Sequence, residues 1–75
     1  MIKQEISIAT PFIKLDQFLK FAGIAETGGH SKEMISEGIV SVNGEICLQR
    51  GKKLYPGDIV EIDDYSFTVL SQSGE

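Results

Sequence analysis

The chain has 75 residues, with seven Lys and Arg, eleven Asp and Glu, one His, one Cys and no Trp. A chain of this length buries only about 60% of the surface that its unfolded form exposes, so we expect one domain over residues 1–75 without a deep enzyme pocket. No stretch approaches the roughly 18 apolar residues of a membrane span, the first ten residues lack the pattern of a secretory signal, and Cys47 has no disulfide partner. These features predict a soluble, cytoplasmic protein.

Charge is unevenly distributed along the chain. Residues 46–57 carry Arg50, Lys52 and Lys53 and no acid, whereas residues 58–75 carry five acids and no base. The net charge of −4 argues against binding of a polyanion, but this separation leaves a basic pole that is able to bind one.

The first half of the chain predicts one strand and two helices. Within residues 2–8, the apolar Ile6 and Ile8 alternate with the polar Ser7, and this period of two residues is typical of a half-buried strand. Apolar residues then recur at helical spacing, which predicts a helix that starts between Pro11 and Leu15 and stops at Gly23. A second, shorter helix is predicted over about residues 29–37. The apolar residues at helical spacing in the first helix are Phe12, Leu15, Phe18, Leu19 and Ala22.

The second half predicts strands joined by tight turns. Asn43-Gly44, between apolar runs at 39–42 and 45–48, favours a type I′ hairpin because both central residues of that turn need positive φ. Further turns are predicted at 55–58 and 63–64, with strands at 59–62 and 65–70 and a short frayed tail at 71–75. The order β-α-α-β-β-β-β indicates an α+β fold, in which two packed helices precede a small, mainly antiparallel sheet with an extra N-terminal strand.

The predicted core comes from both helices and from the strands. Phe12 and Phe18 are interpreted mainly as core residues, and Phe21, at the edge of the apolar stripe, is the aromatic residue left open for stacking on a base. The predicted core residues are Leu15, Phe18, Leu19, Ala22, Met34, Ile35, Val40, Val42, Leu54, Ile59 and Ile62.

Catalytic chemistry needs clustered partners, and the sequence offers none. His30 and Cys47 fall on different predicted elements, and neither has a second ligand at the spacing that a metal site uses. The adjacent acids Asp63 and Asp64 are interpreted as a solvated turn. We therefore assign no catalytic residue, no metal and no cofactor, and expect no enzyme activity.

Two segments are candidate phosphate contacts. At the start of the second helix, Gly28 and Gly29 allow close approach to unpaired N–H groups, Lys32 adds a charge and His30 a hydrogen bond. The alternative is that the two glycines form only a flexible turn behind a Thr27 cap.

The other candidate segment is the loop Arg50-Gly51-Lys52-Lys53, which is either solvated or a patch that contacts nucleic-acid backbone. On the first helix, Lys20 lies four residues after Asp16, the spacing of an intrahelical ion pair, so Lys14 is the better contact candidate.

The order of these signals resembles the S4 RNA-binding domain over about residues 12–62. The segments that carry the resemblance are Lys14-Leu15-Asp16-Gln17-Phe18-Leu19, the short helix with Lys32, Gly38-Ile39-Val40-Ser41-Val42-Asn43-Gly44 and Pro56-Gly57-Asp58. Thr27-Gly28-Gly29 and Arg50-Gly51-Lys52-Lys53-Leu54 are similar to small bacterial members that consist of little more than this domain.

The resemblance implies non-catalytic binding of structured RNA, such as ribosomal or transfer RNA, with a ribosomal subunit as a further candidate partner. By position, Lys14 takes the family's basic place at the opening of helix one, and Lys32 takes the basic place on helix two. The basic loop after the hairpin corresponds to Arg50, Lys52 and Lys53. We expect no membrane partner and no small-molecule substrate.

Some features depart from that family. Gly28 and Ser41 stand where many members have a basic residue, and the net charge of those members is usually higher.

Two alternative functions stay open. One alternative is a protein-interaction adaptor that uses an acidic face. Another is a ubiquitin-like sulfur carrier, which the segments 42–45 and 57–62 resemble; that chemistry needs a Gly-Gly terminus, whereas this chain ends in Ser73-Gly74-Glu75.

Overall fold

The computed structural model describes residues 2–72, which form two helices and seven strands. In chain order the elements are β1 (Ile2–Ile8), β2 (Ile13–Lys14), α1 (Leu15–Phe21), α2 (Gly28–Ser36), β3 (Val40–Val42), β4 (Glu45–Ile46), β5 (Lys53–Leu54), β6 (Ile59–Ile62) and β7 (Tyr65–Ser71). Neither helix in this part of the chain is long and apolar enough to cross a membrane.

Five of the strands form one sheet in the order β1-β7-β6-β3-β4. The pairs β7–β6, β6–β3 and β3–β4 are antiparallel, and β1 adds to the edge of β7 in parallel. The predicted α+β fold, its mainly antiparallel sheet and its N-terminal strand are confirmed. The strands β2 and β5 pair with each other as a separate two-stranded sheet, which the sequence did not predict.

Buried residues of both helices and of the larger sheet form one hydrophobic core. The rings of Phe18 on α1 and Phe67 on β7 meet edge to face, with centroids 6.3 Å apart. Because α1 also packs against α2, it does not lie alone across a β-grasp sheet, which argues against a sulfur carrier. The buried apolar residues are Ile8, Leu15, Phe18, Leu19, Ala25, Ile35, Val40, Val42, Leu54, Val60, Ile62, Phe67 and Val69.

Three of the predicted core residues need correction. Ile59 is wrong, because it is 38% exposed while its neighbour Val60 is buried. Strand residues alternate between the two faces, so Ile59 and Ile62, three positions apart, cannot both point inward. Ala22 and Met34 are only partly buried, at the margin of the core.

The helix boundaries follow from their caps. Helix α1 begins at Leu15, so Phe12 lies outside it. Helix α2 begins one residue earlier than predicted, and Thr27 caps it by accepting the His30 N–H at 3.1 Å. At the other end of the chain, Gln72 donates its N–H to the Ile8 carbonyl at 2.8 Å. The rest of the expected frayed tail, residues 73–75, lies outside the described residues.

The β3–β4 hairpin and the turn before β6 are joined by side chains. Asn43 has φ of 53° and Gly44 of 88°, as the predicted type I′ turn requires. The Asn43 amide accepts the Ile59 N–H at 2.9 Å and donates to the Asp58 carboxylate at 3.2 Å. That carboxylate also accepts the Tyr55 N–H at 2.9 Å. The two motifs of the resemblance, Val-Asn-Gly and Pro-Gly-Asp, are therefore one hydrogen-bonded unit.

Candidate nucleic-acid interface

The small β2–β5 sheet presents two faces of opposite character. Its antiparallel register places Ile13 opposite Leu54 and Lys14 opposite Lys53. Successive residues of a strand point to opposite faces, so Leu54 enters the core while both lysines stand on the outer face. Two lysines brought together by the sheet thus share one exposed surface.

The basic loop before β5 is fixed to the start of α1 by its backbone. The N–H of Leu15 donates to the Lys52 carbonyl at 2.8 Å, and the N–H of Asp16 donates to the Arg50 carbonyl at 3.1 Å. These bonds occupy N–H groups that a helix start otherwise leaves unpaired. The start of α1 is therefore closed to an anion, and the loop holds a defined position beside it.

This arrangement brings Lys14 and Lys53 together and holds the backbone of Arg50 and Lys52 beside the start of α1. We call Lys14, Arg50, Lys52 and Lys53 the basic cluster; all four side chains are exposed. Within residues 2–72, none of the four forms an ion pair with a carboxylate. The cluster therefore keeps its charge available for an external anion.

The start of α2 differs from that of α1 because it is open. The N–H groups of Gly28 and Gly29 donate to no acceptor in the part of the chain that the structure describes. Neither glycine has positive φ, and both belong to the first turn of α2 and not to the interhelix turn where the alternative placed them. The Thr27 cap of that alternative is confirmed.

His30 and Lys32 lie in the first part of the same helix. The His30 Nδ1 accepts the Glu26 N–H at 3.3 Å, so the neutral ring carries its proton on Nε2, where it is able to donate to a ligand. Lys32 is exposed. We call Gly28, Gly29, His30 and Lys32 the α2 start. No hydrogen bond or ring contact joins it to the basic cluster among residues 2–72.

An aromatic pair beside the basic cluster was missed in the sequence. Continuing the β2–β5 register by one residue places Phe12 opposite Tyr55, and their ring centroids are 5.9 Å apart. The Lys53 Nζ lies 4.9 Å from the centroid of the Phe12 ring. The interpretation of Phe12 as a core residue is therefore wrong, since it is half-buried on the outer face; Phe21 is 61% exposed on α1.

Comparison with known proteins identifies the family. The family model described as S4 domain matches residues 6–70 of this chain. The "Probable ribosome maturation protein RlbA" of Bacillus subtilis (strain 168) is 49% identical over 67 residues, which cover 88% of this chain and 94% of that relative. The family model and the Bacillus subtilis relative both confirm the resemblance seen in the sequence, and the chain belongs to the S4 domain family.

Proposed function

We propose that this chain binds structured RNA without catalysing a reaction, and that it does so through RNA phosphates. The basic cluster and the α2 start supply the contacts. The observation that carries the proposal is the β2–β5 register, which brings Lys14 and Lys53 together on one exposed face beside the loop that carries Arg50 and Lys52. Phosphate contacts from Lys, Arg and open helix starts supply most of the affinity of such interfaces.

The RNA partner that we propose is ribosomal RNA, free or in a ribosomal subunit. The name of the Bacillus subtilis relative, a ribosome maturation protein, supports this choice over transfer RNA. Double-stranded RNA hides its base edges in a deep, narrow groove, so a small rigid domain reads its shape and phosphates. The whole chain would then act as one RNA-binding unit in the cytoplasm.

The test compares two double variants of equal net charge. Lys52→Glu with Lys53→Glu reverses half of the basic cluster, whereas Lys3→Glu with Lys20→Glu reverses two exposed lysines outside it. We expect the first pair to weaken binding of a ribosomal RNA hairpin and to reduce the slope of log K against log salt by about 2, because each lysine that no longer binds a phosphate lowers the slope by about 1. The control pair should leave that slope unchanged.

Two results would overturn the proposal. Equal losses of affinity in both double variants would mean that net charge, and not this surface, governs binding.

A second experiment tests the identity of the RNA. Crosslinking of the wild-type protein in cells, followed by sequencing of the bound RNA, should recover ribosomal RNA. Recovery of only a protein partner would favour the adaptor alternative instead.

A further inference from the structure

Tyr55 is an exposed aromatic side chain on the same outer face as Lys14 and Lys53. The residue is 49% exposed, and its ring packs against that of Phe12, with ring centroids 5.9 Å apart. In the register of β2 and β5, this aromatic pair is two positions from Lys14 and Lys53, and side chains two positions apart share a face. A π surface and two cations therefore adjoin each other.

The backbone that carries Tyr55 is held in place on both sides. Lys53–Leu54 pairs with β2 immediately before it, and the Tyr55 N–H donates to the Asp58 carboxylate. The Tyr55 carbonyl in turn accepts the Asp58 N–H at 3.0 Å, and the Gly57 N–H donates to the Val69 carbonyl at 2.7 Å. An exposed ring on such a fixed turn loses little conformational entropy when a flat ligand stacks on it.

We propose that Tyr55, backed by Phe12, is a stacking platform for one unpaired nucleobase of the bound RNA. The inference rests on the proposed function and refines it: the preferred RNA is a helix interrupted by an unpaired nucleotide, whose neighbouring phosphates contact Lys14 and Lys53. Bases inside a continuous helix present no free face, whereas an unpaired base is able to leave the helix and stack on an aromatic ring.

The molecule contains a comparison residue of the same type. Tyr65, at the start of β7, is 42% exposed and stacks on Phe67, with ring centroids 6.0 Å apart. It lies in the larger sheet and pairs with Ile62 and Ile2, not with β2 or β5. Tyr65 therefore has the same chemistry, and no cation of residues 2–72 contacts its ring, which makes it the matched control.

The experiment uses two RNA hairpins, one with a single unpaired adenosine in its stem and one with a continuous stem. The wild-type protein should bind the interrupted hairpin more tightly. Tyr55→Ala should remove roughly tenfold of affinity for the interrupted hairpin and leave the continuous one unchanged, since stacking on one base supplies a contribution of that order. Tyr55→Phe should retain the preference because it keeps the ring, and Tyr55→Leu should lose it.

Controls separate this inference from the function on which it rests. Tyr65→Ala should leave the preference for the interrupted hairpin intact, and thermal midpoints should show that every variant compared is folded. In the wild-type complex, the ring protons of Tyr55 should shift in NMR spectra only with the interrupted hairpin. Equal binding of both hairpins, or equal losses on both with Tyr55→Ala, would overturn the stacking platform and leave phosphate binding intact. Failure of the wild-type protein to bind either hairpin would overturn the proposed function itself.

Discussion

Gly28 and Gly29 begin α2 although the fold does not require glycine at either position. A Cβ added to Gly28 would meet no atom within 4 Å, and one added to Gly29 would meet only the Thr27 Oγ1 at 3.8 Å. Glycine inside a helix costs about 1 kcal/mol relative to alanine. Two glycines in the first turn of a short helix are thus unfavourable for the free protein, and the phosphate contact that we propose at the α2 start would account for them.

Replacement of these glycines by alanine should stabilise the free protein and weaken its binding to RNA. We expect Gly28→Ala and Gly29→Ala each to raise the free energy of unfolding by about 0.4–1 kcal/mol, because alanine loses less backbone entropy on folding. Each should also weaken RNA binding, since the added methyl group obstructs the N–H groups at the α2 start. Thermal unfolding and RNA titration of the same samples measure both effects.

Gly44 provides the control for this pair of substitutions. Its φ is 88°, a conformation that alanine adopts only with strain, so Gly44→Ala should lower the thermal midpoint. Unchanged RNA affinity in the Gly28→Ala and Gly29→Ala proteins would show that no phosphate approaches the α2 start.

At the scale of elements, the β2–β5 sheet places two like charges face to face. Lys14 and Lys53 are directly opposite, and like charges in that position destabilise a strand pair. Lys53 also contacts the Phe12 ring, which offsets part of that cost. The pair is therefore a local instability that binding of a phosphate would relieve.

Reversal of the Lys14 charge should stabilise the free protein. Lys14→Glu leaves the contact between Lys53 and Phe12 in place and creates an opposite-charge pair across the strands, which we expect to add about 0.2–1 kcal/mol to the free energy of unfolding. The gain should shrink as salt is added, because the pair is exposed. Thermal melts over a range of salt concentrations measure it, with Lys14→Gln as the variant that removes only the repulsion. A lower midpoint for Lys14→Glu would contradict the facing arrangement.

The sequence predicted the elements that have a periodic pattern and missed those that do not. Strands at 59–62 and 65–70 and the Asn43-Gly44 hairpin follow from alternation and turn chemistry, and the structure has them. Strands of two residues, such as β2 and β5, are too short to show a period, so only their pairing in three dimensions reveals them. The composition of the basic loop was enough to make it a candidate site. The pairing of β2 with β5, which the sequence does not show, is what places Lys53 of that loop opposite Lys14 and Phe12 opposite Tyr55.

At the scale of the whole molecule, the aspartates of residues 58–64 fall at two different places, the turn before β6 and the turn after it. Asp58 and Asp63 flank the four residues of β6, so about 16 Å of extended chain separates them. Asp58 belongs to the turn that holds Tyr55 and has a structural role there. Asp63 and Asp64 form the turn at the other end of β6, and they are the acids that we expect to face away from bound RNA.

This arrangement predicts how the acidic turn and salt affect binding. If about four cations engage phosphates, log K should fall with log salt at a slope of about −3 to −4 for the wild-type protein.

The variant Asp63→Asn with Asp64→Asn should keep that slope, because all the cations that bind phosphates remain. Asparagine suits this turn because it tolerates the φ of 52° at Asp63. Its association rate should exceed that of the wild-type protein at low salt and match it near 0.15 M, where the Debye length is about 8 Å. A changed affinity of this variant at 0.15 M, tighter because repulsion from the phosphates is lost or weaker because a contact with the RNA is lost, would place the acidic turn at the RNA surface, and the proposed orientation of the domain would then be wrong.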